Sequence, residues 1–437
     1  MFRKAILFTI TVLAALQASA VDVTPQQKTN VISRIISELK DKYPFPNLSA
    51  RMESTLNSNL TSGAYSTLND GEAFAGRLTK DLQDISKDRH IFVNYVGEPQ
   101  QVQPIHHIDS IYAPSEAILE IERNARQENY GTSEVRILNG NVGYIRFDML
   151  WPLEFAAPVY AAGMRYIANT DALIIDLRYC GGAQSPDVIP FLAGYLFEHP
   201  THLTNFYLGG KGKPQQLWSV AAVEGPKYLN KPVYVLTSKT TFSGGEAFAY
   251  ELQAHKRATV VGEVTGGGGN PNAVFPVEEH FVFSTPFATV ENPVTGTSWN
   301  EKGVQPDVVA SRIEAQYRAH LLALEQLLAK AGDDRKKMYA DVIEDVKADS
   351  PAVTEVRFEL PGYEAAKSVS VIGTFNSYTG WANPMEKVGG KWTGTVSVLP
   401  GRHHYLFLVD GQPVLDPANK SVSADKRTNL ISVKTGN

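Results

Sequence analysis

A single cysteine, Cys180, occurs in 437 residues, so no disulfide can form within the chain. A protein without cross-links depends on its apolar core. The length and the 43% of hydrophobic residues suffice for a core spread over two or three domains. Neither sign of charge dominates: 41 Lys and Arg face 46 Asp and Glu, for a net charge of −5. That balance lacks the basic patch that draws nucleic acid or an anionic membrane, so neither is expected as a partner. Long apolar runs are also lacking. A membrane span needs ~20 apolar residues, and the stretch from Ala5 to Leu16 is shorter. It follows Arg3 and Lys4 and precedes Ala18-Ser19-Ala20, the pattern of an export signal and its cleavage site. Residues 1–20 are therefore expected to be removed. Loss of Arg3 and Lys4 takes the net charge from −5 to −7. The expected product is periplasmic or secreted, has no integral membrane segment, and fits a bacterial envelope better than a small disulfide-stapled secreted fold.

The remaining sequence divides by periodicity. Residues 21–96 read as helical: Thr24-Pro25 supplies an N-cap and a first-turn proline, and Val31, Ile35, Ile36 and Leu39 recur at helical spacing. Residues 97–312 read as α/β. Leu173-Ile174-Ile175 is a continuous apolar run ending at Asp176, as in a strand buried on both faces, and Val233 to Leu236 is another. The helical stretch Ala156 to Ala168 between strands implies crossovers onto a central parallel sheet. Residues 313–350 are helical and charged, a closing segment and linker. Residues 351–437 change character, with short alternating strands separated by Pro361-Gly362, Gly389-Gly390, Pro400-Gly401 and Asp410-Gly411. This is an all-β, immunoglobulin-like sandwich of about seven strands.

Two stretches of the α/β region carry chemistry. Thr241-Phe242-Ser243-Gly244-Gly245-Glu246 follows a strand and opens a helix. A serine there is held above the sheet, and the N–H of Gly244 points where an oxyanion would form. The same residues also read as a helix N-cap, with Glu246 completing a capping box. The buried strand before Asp176 ends in Gly181-Gly182, whose amides at the carboxyl edge of a sheet can supply a second oxyanion donor. A tight turn beside an Asp176–Arg178 ion pair is the plain alternative. Cys180 lacks a visible partner base and reads as a small buried group.

Taken in order, D-L-R-x-x-G-G, T-x-S-x-x-E, V-V-G-E-x-T-G and W-x-x-x-G-V-x-P-D resemble the C-terminal processing peptidase superfamily, which includes the tricorn core and interphotoreceptor retinoid-binding protein. The resemblance covers about residues 30–312 and implies a ClpP/crotonase-like α/β core and a serine peptidase acting on peptides or proteins. One branch of that family uses a Ser-Lys dyad. Its lysine position is Gly268 here, twenty-five residues after Ser243. The tricorn-like branch uses a histidine and a glutamate, which map onto His90 in Asp88-Arg89-His90 and Glu301 in Trp299-Asn300-Glu301. The implied triad is Ser243 as nucleophile, His90 as general base and Glu301 as its orienting partner, with Gly244 and Gly181 or Gly182 as oxyanion donors. Cys180 stands where the family has Asn, and Ala183 where a last Gly is common. Residues 97 to 134 are too few for the PDZ domain of dyad members. The run Gly266 to Gly269 lacks a following Gly-Lys-Ser/Thr, so it is no phosphate loop and reads as a flexible active-site edge. His106-His107 and His403-His404 lack zinc-ligand spacing, and no metal or organic cofactor is implied. The family is compatible with a homo-oligomer. A non-catalytic binder of an apolar ligand is the rival reading on the same fold.

Val369 to Lys434 resembles the glycogen-binding β-sandwich of AMP-activated kinase beta subunits and starch-branching enzymes, through Gly373-Thr374-Phe375-Asn376, Trp381, Gly390-Lys391-Trp392, Leu399-Pro400-Gly401, Val409-Asp410-Gly411 and Thr428-Asn429. Trp381 matches one sugar-stacking tryptophan, with Ser377 to Gly380 lengthening the loop before it. The second is Pro413 and the family's lysine is Leu406. A structural or partner-docking module is therefore expected over a glycan binder, and Trp392 is expected in the core. A carbohydrate-targeted hydrolase is the further alternative.

Overall fold

A computed structural model describes residues 22–96 and 115–434, with side chains from residue 121 in the second stretch. The stretch expected to be an export signal, His106-His107 and most of the proline-rich segment after residue 96 lie outside the described residues.

The N-terminal part forms three helices, Pro25–Lys42, Pro46–Thr61 and Gly71–Ser86. Thr24 caps the first in a box with Gln27, and Asp70 caps the third through the Ala73 amide at 2.8 Å. Val31, Ile35, Phe74 and Leu78 bury one stripe of each helix in a shared core. The strand Phe92–Tyr95 that follows pairs antiparallel with Phe281–Pro286. The helical part is thereby sewn into the α/β part, and His90 is carried on the turn just before the seam.

Six strands form the central sheet, and they follow chain order across it: Thr132–Leu138, Val142–Phe147, Ala172–Asp176, Val233–Thr237, Thr259–Gly262 and Val308–Val309. The first pair is antiparallel and the rest are parallel. Every residue of Ala172–Asp176 is buried, because both faces are covered. Leu173 and Ile175 face the helices Leu153–Ile167 and Gly244–Ala254. Ala172 and Ile174 face the helix Ala315–Lys330 on the other side. Residues 313–350 thus form two helices, of which the first closes one face of the sheet. A small antiparallel sheet of His202–Leu208, Gln215–Trp218 and Ala288–Glu291 flanks the core.

Seven strands between Thr354 and Val433 form the two antiparallel sheets of the C-terminal sandwich. Phe358, Trp392, Tyr405 and Phe407 fill its interior. No helix among the described residues is long and apolar enough to cross a membrane.

Glu251 links the helix Gly244–Ala254 to the flanking sheet. Its buried carboxyl accepts from the Thr204 hydroxyl at 2.7 Å and from the Asn292 amide. Burial pushes it up to about 8, against the opposite pull of Thr204 and Asn292. The folded chain therefore keeps a proton that the unfolded chain releases above its ordinary value of 4.5. Glu251 contributes stability that is complete below the unfolded value and lost as pH rises through about 8. The thermal midpoint of the parent should fall across that window, and Glu251→Gln should flatten the fall. Unfolding scans at a series of pH values check this.

Candidate active site

Three loops at the carboxyl ends of adjacent parallel strands meet above the sheet, where ligands of open α/β sheets bind. The strand ending at Asp176 delivers Gly181-Gly182, the strand ending at Thr237 delivers Ser243, and the strand ending at Gly262 delivers residues 265–269.

The first loop is anchored from beneath. Asp176 receives a two-pronged contact from Arg178 at 2.9 and 2.7 Å and the Tyr144 hydroxyl at 2.6 Å. Burial pushes the Asp176 carboxyl up, but Arg178 and Tyr144 outweigh it and hold it below the usual range. The Cys180 thiol is fully buried and pushed up by that burial to about 12, so it is held as the neutral thiol. Its carbonyl accepts the Phe242 amide at 3.0 Å and so ties this loop to the Ser243 turn.

Ser243 stands at the N-cap of the helix Gly244–Ala254 with φ 49° and ψ −120°. A positive φ at a non-glycine residue is a strained conformation of the kind found where a side chain must be presented. Ser243 faces a cleft of about 440 Å³ that His90, Gly182 and Phe242 also line. On its other side opens an apolar pocket of about 200 Å³ among Ile189, Leu203, Phe206, Phe287 and Trp299.

The two predicted oxyanion glycines after Asp176 are not equivalent. The Gly181 amide is engaged with the Asp148 carbonyl at 3.1 Å, so it is not a free donor. Among the described residues no protein acceptor takes the amides of Gly182 or Gly244. A Cβ built on Gly182 would lie 3.6 Å from the Ser243 hydroxyl oxygen and 3.7 Å from the Gly244 nitrogen, so Gly182 packs beside the serine that Gly244 follows in the chain. Gly182 adopts φ +143°, which excludes other residues without strain.

Glu246 exceeds its expected role. It does accept the Ser243 amide at 2.9 Å, as half of a capping box. It also accepts the amides of Gly267 at 2.6 Å and Gly268 at 2.7 Å and the Thr265 hydroxyl. Burial pushes its carboxyl up, and these four donors pull it back. The glycine run is consequently no flexible edge. Residues 265–270 are all buried, the Gly269 amide donates to Asn300, and the Gly268 carbonyl accepts the Trp299 indole at 2.8 Å. A Cβ on Gly268 would lie 2.4 Å from the Phe242 ring and 2.7 Å from His90 Cε1, so the ring of His90 fills the space beside that position.

His90 is buried, with its ring 4.7 Å from that of Phe242. Neither ring nitrogen has a hydrogen-bond partner among the described residues. The expected partner, Glu301, is not brought to it. Glu301 sits on a turn at φ 64°, its amide donates to the Gly267 carbonyl at 2.8 Å, and its side chain is exposed. The carboxylate beside His90 is Asp88, whose Oδ1 lies 3.4 Å from Nδ1 and accepts the His90 backbone amide at 2.9 Å. Asn270 holds the other oxygen at 2.8 Å. Burial raises the Asp88 carboxyl, but His90 and Asn270 outweigh it, and Asp88 stays below the usual range, charged at neutral pH. The signal for Asp88 was an aspartate two residues before the histidine, the spacing of a side-chain-to-backbone turn.

Residues 141–310 match the family model described as Peptidase family S41. Residues 14–127 match the N-terminal domain of Peptidase_S41 in eukaryotic IRBP, and residues 355–436 the glycogen recognition site of AMP-activated protein kinase. A carboxy-terminal-processing protease of Bartonella bacilliformis is 30% identical over 198 residues, 43% of each chain. A carboxyl-terminal-processing protease of Synechocystis is 26% identical over 172 residues, 39% of this chain and 38% of the relative. The chain thus spans less than half the length of these curated relatives. A solved structure of mature CPAF complexed with lactacystin is 14% identical, with TM-score 0.42, covering 74% of this chain and 99% of that one.

Glu246→Gln should remove at least one of the four accepted bonds and set an amide against backbone N–H groups. Each buried donor left unpaired costs about 1–3 kcal/mol. The variant should lose stability of that order in denaturant unfolding.

Proposed function

We propose that this chain, whose residues 141–310 form a peptidase family S41 domain, is an exported serine endopeptidase in which Ser243 is the nucleophile and His90 the general base. The observation that carries the reading is the strained Ser243 facing one cleft with a buried histidine, beside Gly182 and Gly244, whose amides are unengaged. In this reading the Ser243 hydroxyl oxygen attacks the peptide carbonyl carbon and passes its proton to His90 Nε2. The amides of Gly244 and Gly182 receive the oxyanion. The imidazolium gives the proton to the departing amine, and water then releases the acyl group by the same route. Asp88 orients the ring through Nδ1 and stabilises the imidazolium. Glu301, on the rim beside Gly267, has no part in that relay. His90 Nε2 takes no hydrogen bond from Ser243 in the free chain, and such catalytic bonds commonly form or tighten on substrate binding.

Two features argue against the other readings. A Ser-Lys dyad has no lysine at Gly268, and His90 and Phe242 crowd that position. The apolar pocket beside Ser243, at about 200 Å³, is smaller than the ~300 Å³ or more of ordinary ligand sites. It suits one substrate side chain better than a whole apolar ligand, and an apolar residue is expected next to the scissile bond.

A fluorophosphonate probe tests the nucleophile. The parent should label, and Ser243→Ala should not; a folded parent that fails to label sinks the reading. Among substrates, peptides with leucine or phenylalanine before the scissile bond should outrun those with aspartate. Asp88→Asn should lower kcat by about a hundredfold or more, while Glu301→Gln should stay within about threefold, a difference too small to represent loss of a triad member. The reverse order would return the orienting role to Glu301.

A further inference from the structure

The tryptophan expected to stack on sugar is engaged elsewhere. Trp381 reaches out of the C-terminal sandwich, and its indole N–H donates to the Lys239 carbonyl at 3.0 Å. Its ring lies 5.2 Å from that of Phe242, whose other neighbour is the His90 ring at 4.7 Å. The Arg89 guanidinium sits over Trp381 at 5.3 Å from the ring centre and donates to the Gly266 carbonyl. Arg89 and Phe242 are the chain neighbours of His90 and Ser243. One indole therefore backs both segments that carry the site.

A second anchor fixes the module in this position. Arg312, from the α/β part, donates to the Phe375 carbonyl at 2.7 Å and to the Ser377 hydroxyl at 2.9 Å. Its guanidinium lies 4.2 Å from the ring centre of Tyr179, two residues before Gly181. The loop that makes the reach is the one lengthened before Trp381. Ser377 and Tyr378 take left-handed conformations there, with φ 53° and 56°. Ser377, Thr379 and Trp381 line the cleft that holds Ser243 and His90.

We infer that the C-terminal module is a wall of the peptide cleft and that Trp381 is a positioning residue that sets His90 against Ser243, in place of a sugar platform. Small displacements of a catalytic pair cost much rate. The inference rests on the Ser243–His90 reading, and the test separates the two.

The rate of fluorophosphonate labelling is measured against pH for the full chain, with Ser243→Ala as the blank. Trp381→Ala should slow labelling by about tenfold and move the rising limb of the pH profile. Trp381→Phe keeps a ring for Arg89 and Phe242 and should remain within about threefold. A shift in thermal midpoint alone would not produce that rescue. Should Trp381→Ala not fold, Arg89→Gln, which empties the other face of the indole and leaves the module untouched, should slow labelling in its place. Parental rate and pH profile in Trp381→Ala, or in Arg89→Gln where that is the variant read, overturns the inference while the hydrolase reading stands. So does a slowing of the parent by soluble maltoheptaose, which would restore Trp381 as a sugar platform. A folded parent that does not label removes the hydrolase reading itself and this inference with it.

Discussion

The carboxylate of Glu246 has no exposed surface and accepts four hydrogen bonds, from the Thr265 hydroxyl and the amides of Ser243, Gly267 and Gly268. A buried acid of this kind is costly unless its lone pairs are filled, and filling them forces the Ser243–Glu246 turn and the 265–268 loop into one arrangement. The Ser243 turn cannot move without the glycine loop. That loop cannot move without Trp299 and Asn300, which hold its far side. The strained backbone of Ser243 persists because its surroundings over-determine it. The crowding of His90 and Phe242 against Gly268 follows from the same constraint, since the loop has no freedom to retreat.

The parallel sheet supplies the platform for this arrangement. Asp176, Thr237 and Gly262 end adjacent strands, so loops distant in sequence leave the sheet side by side. The buried Asp176–Arg178 pair stiffens the first of them and passes the coupling outward. Arg178 donates to the Arg312 carbonyl at 2.6 Å, and Arg312 in turn grips the C-terminal module. A buried ion pair contributes little net stability on average. Its effect here is positional, because one guanidinium joins the strand end to the segment on which the module docks.

Much of the fold was legible in the chain. The apolar run before Asp176 had to be a strand covered on both faces, and it is buried throughout. The alternating pattern after residue 351 called for a sandwich, and Trp392 lies in its core. Thr24 marks a helix start as its side chain requires. The site was legible only in part. Ser243 and His90 stand out by motif, but the carboxylate beside His90 was assigned to Glu301, more than two hundred residues further along the chain, where local pattern tests no contact. The glycine run was read as loose because glycine permits freedom; its buried amides are all hydrogen-bonded. Gly181 and Gly182 looked interchangeable until the Asp148 carbonyl engaged one of them.

Composition, periodicity and motif order by themselves determined that this chain has a helical start, a parallel α/β middle and a β-sandwich end, and they singled out Ser243 and His90 as candidate site residues. Those properties are written in spacing along the chain, and spacing is what fixes helix faces, strand faces and caps. Only the tertiary structure decided which acid faces His90, which glycine offers a free amide, and that Trp381 lies against Arg89 and Phe242. The place of Asp88 depends on Asn270 and that of Trp381 on Arg89 and Phe242, segments from about 140 to nearly 300 residues apart, and the choice between the glycines depends on one bond taken by a neighbour; one-dimensional pattern carries no distance for any of these.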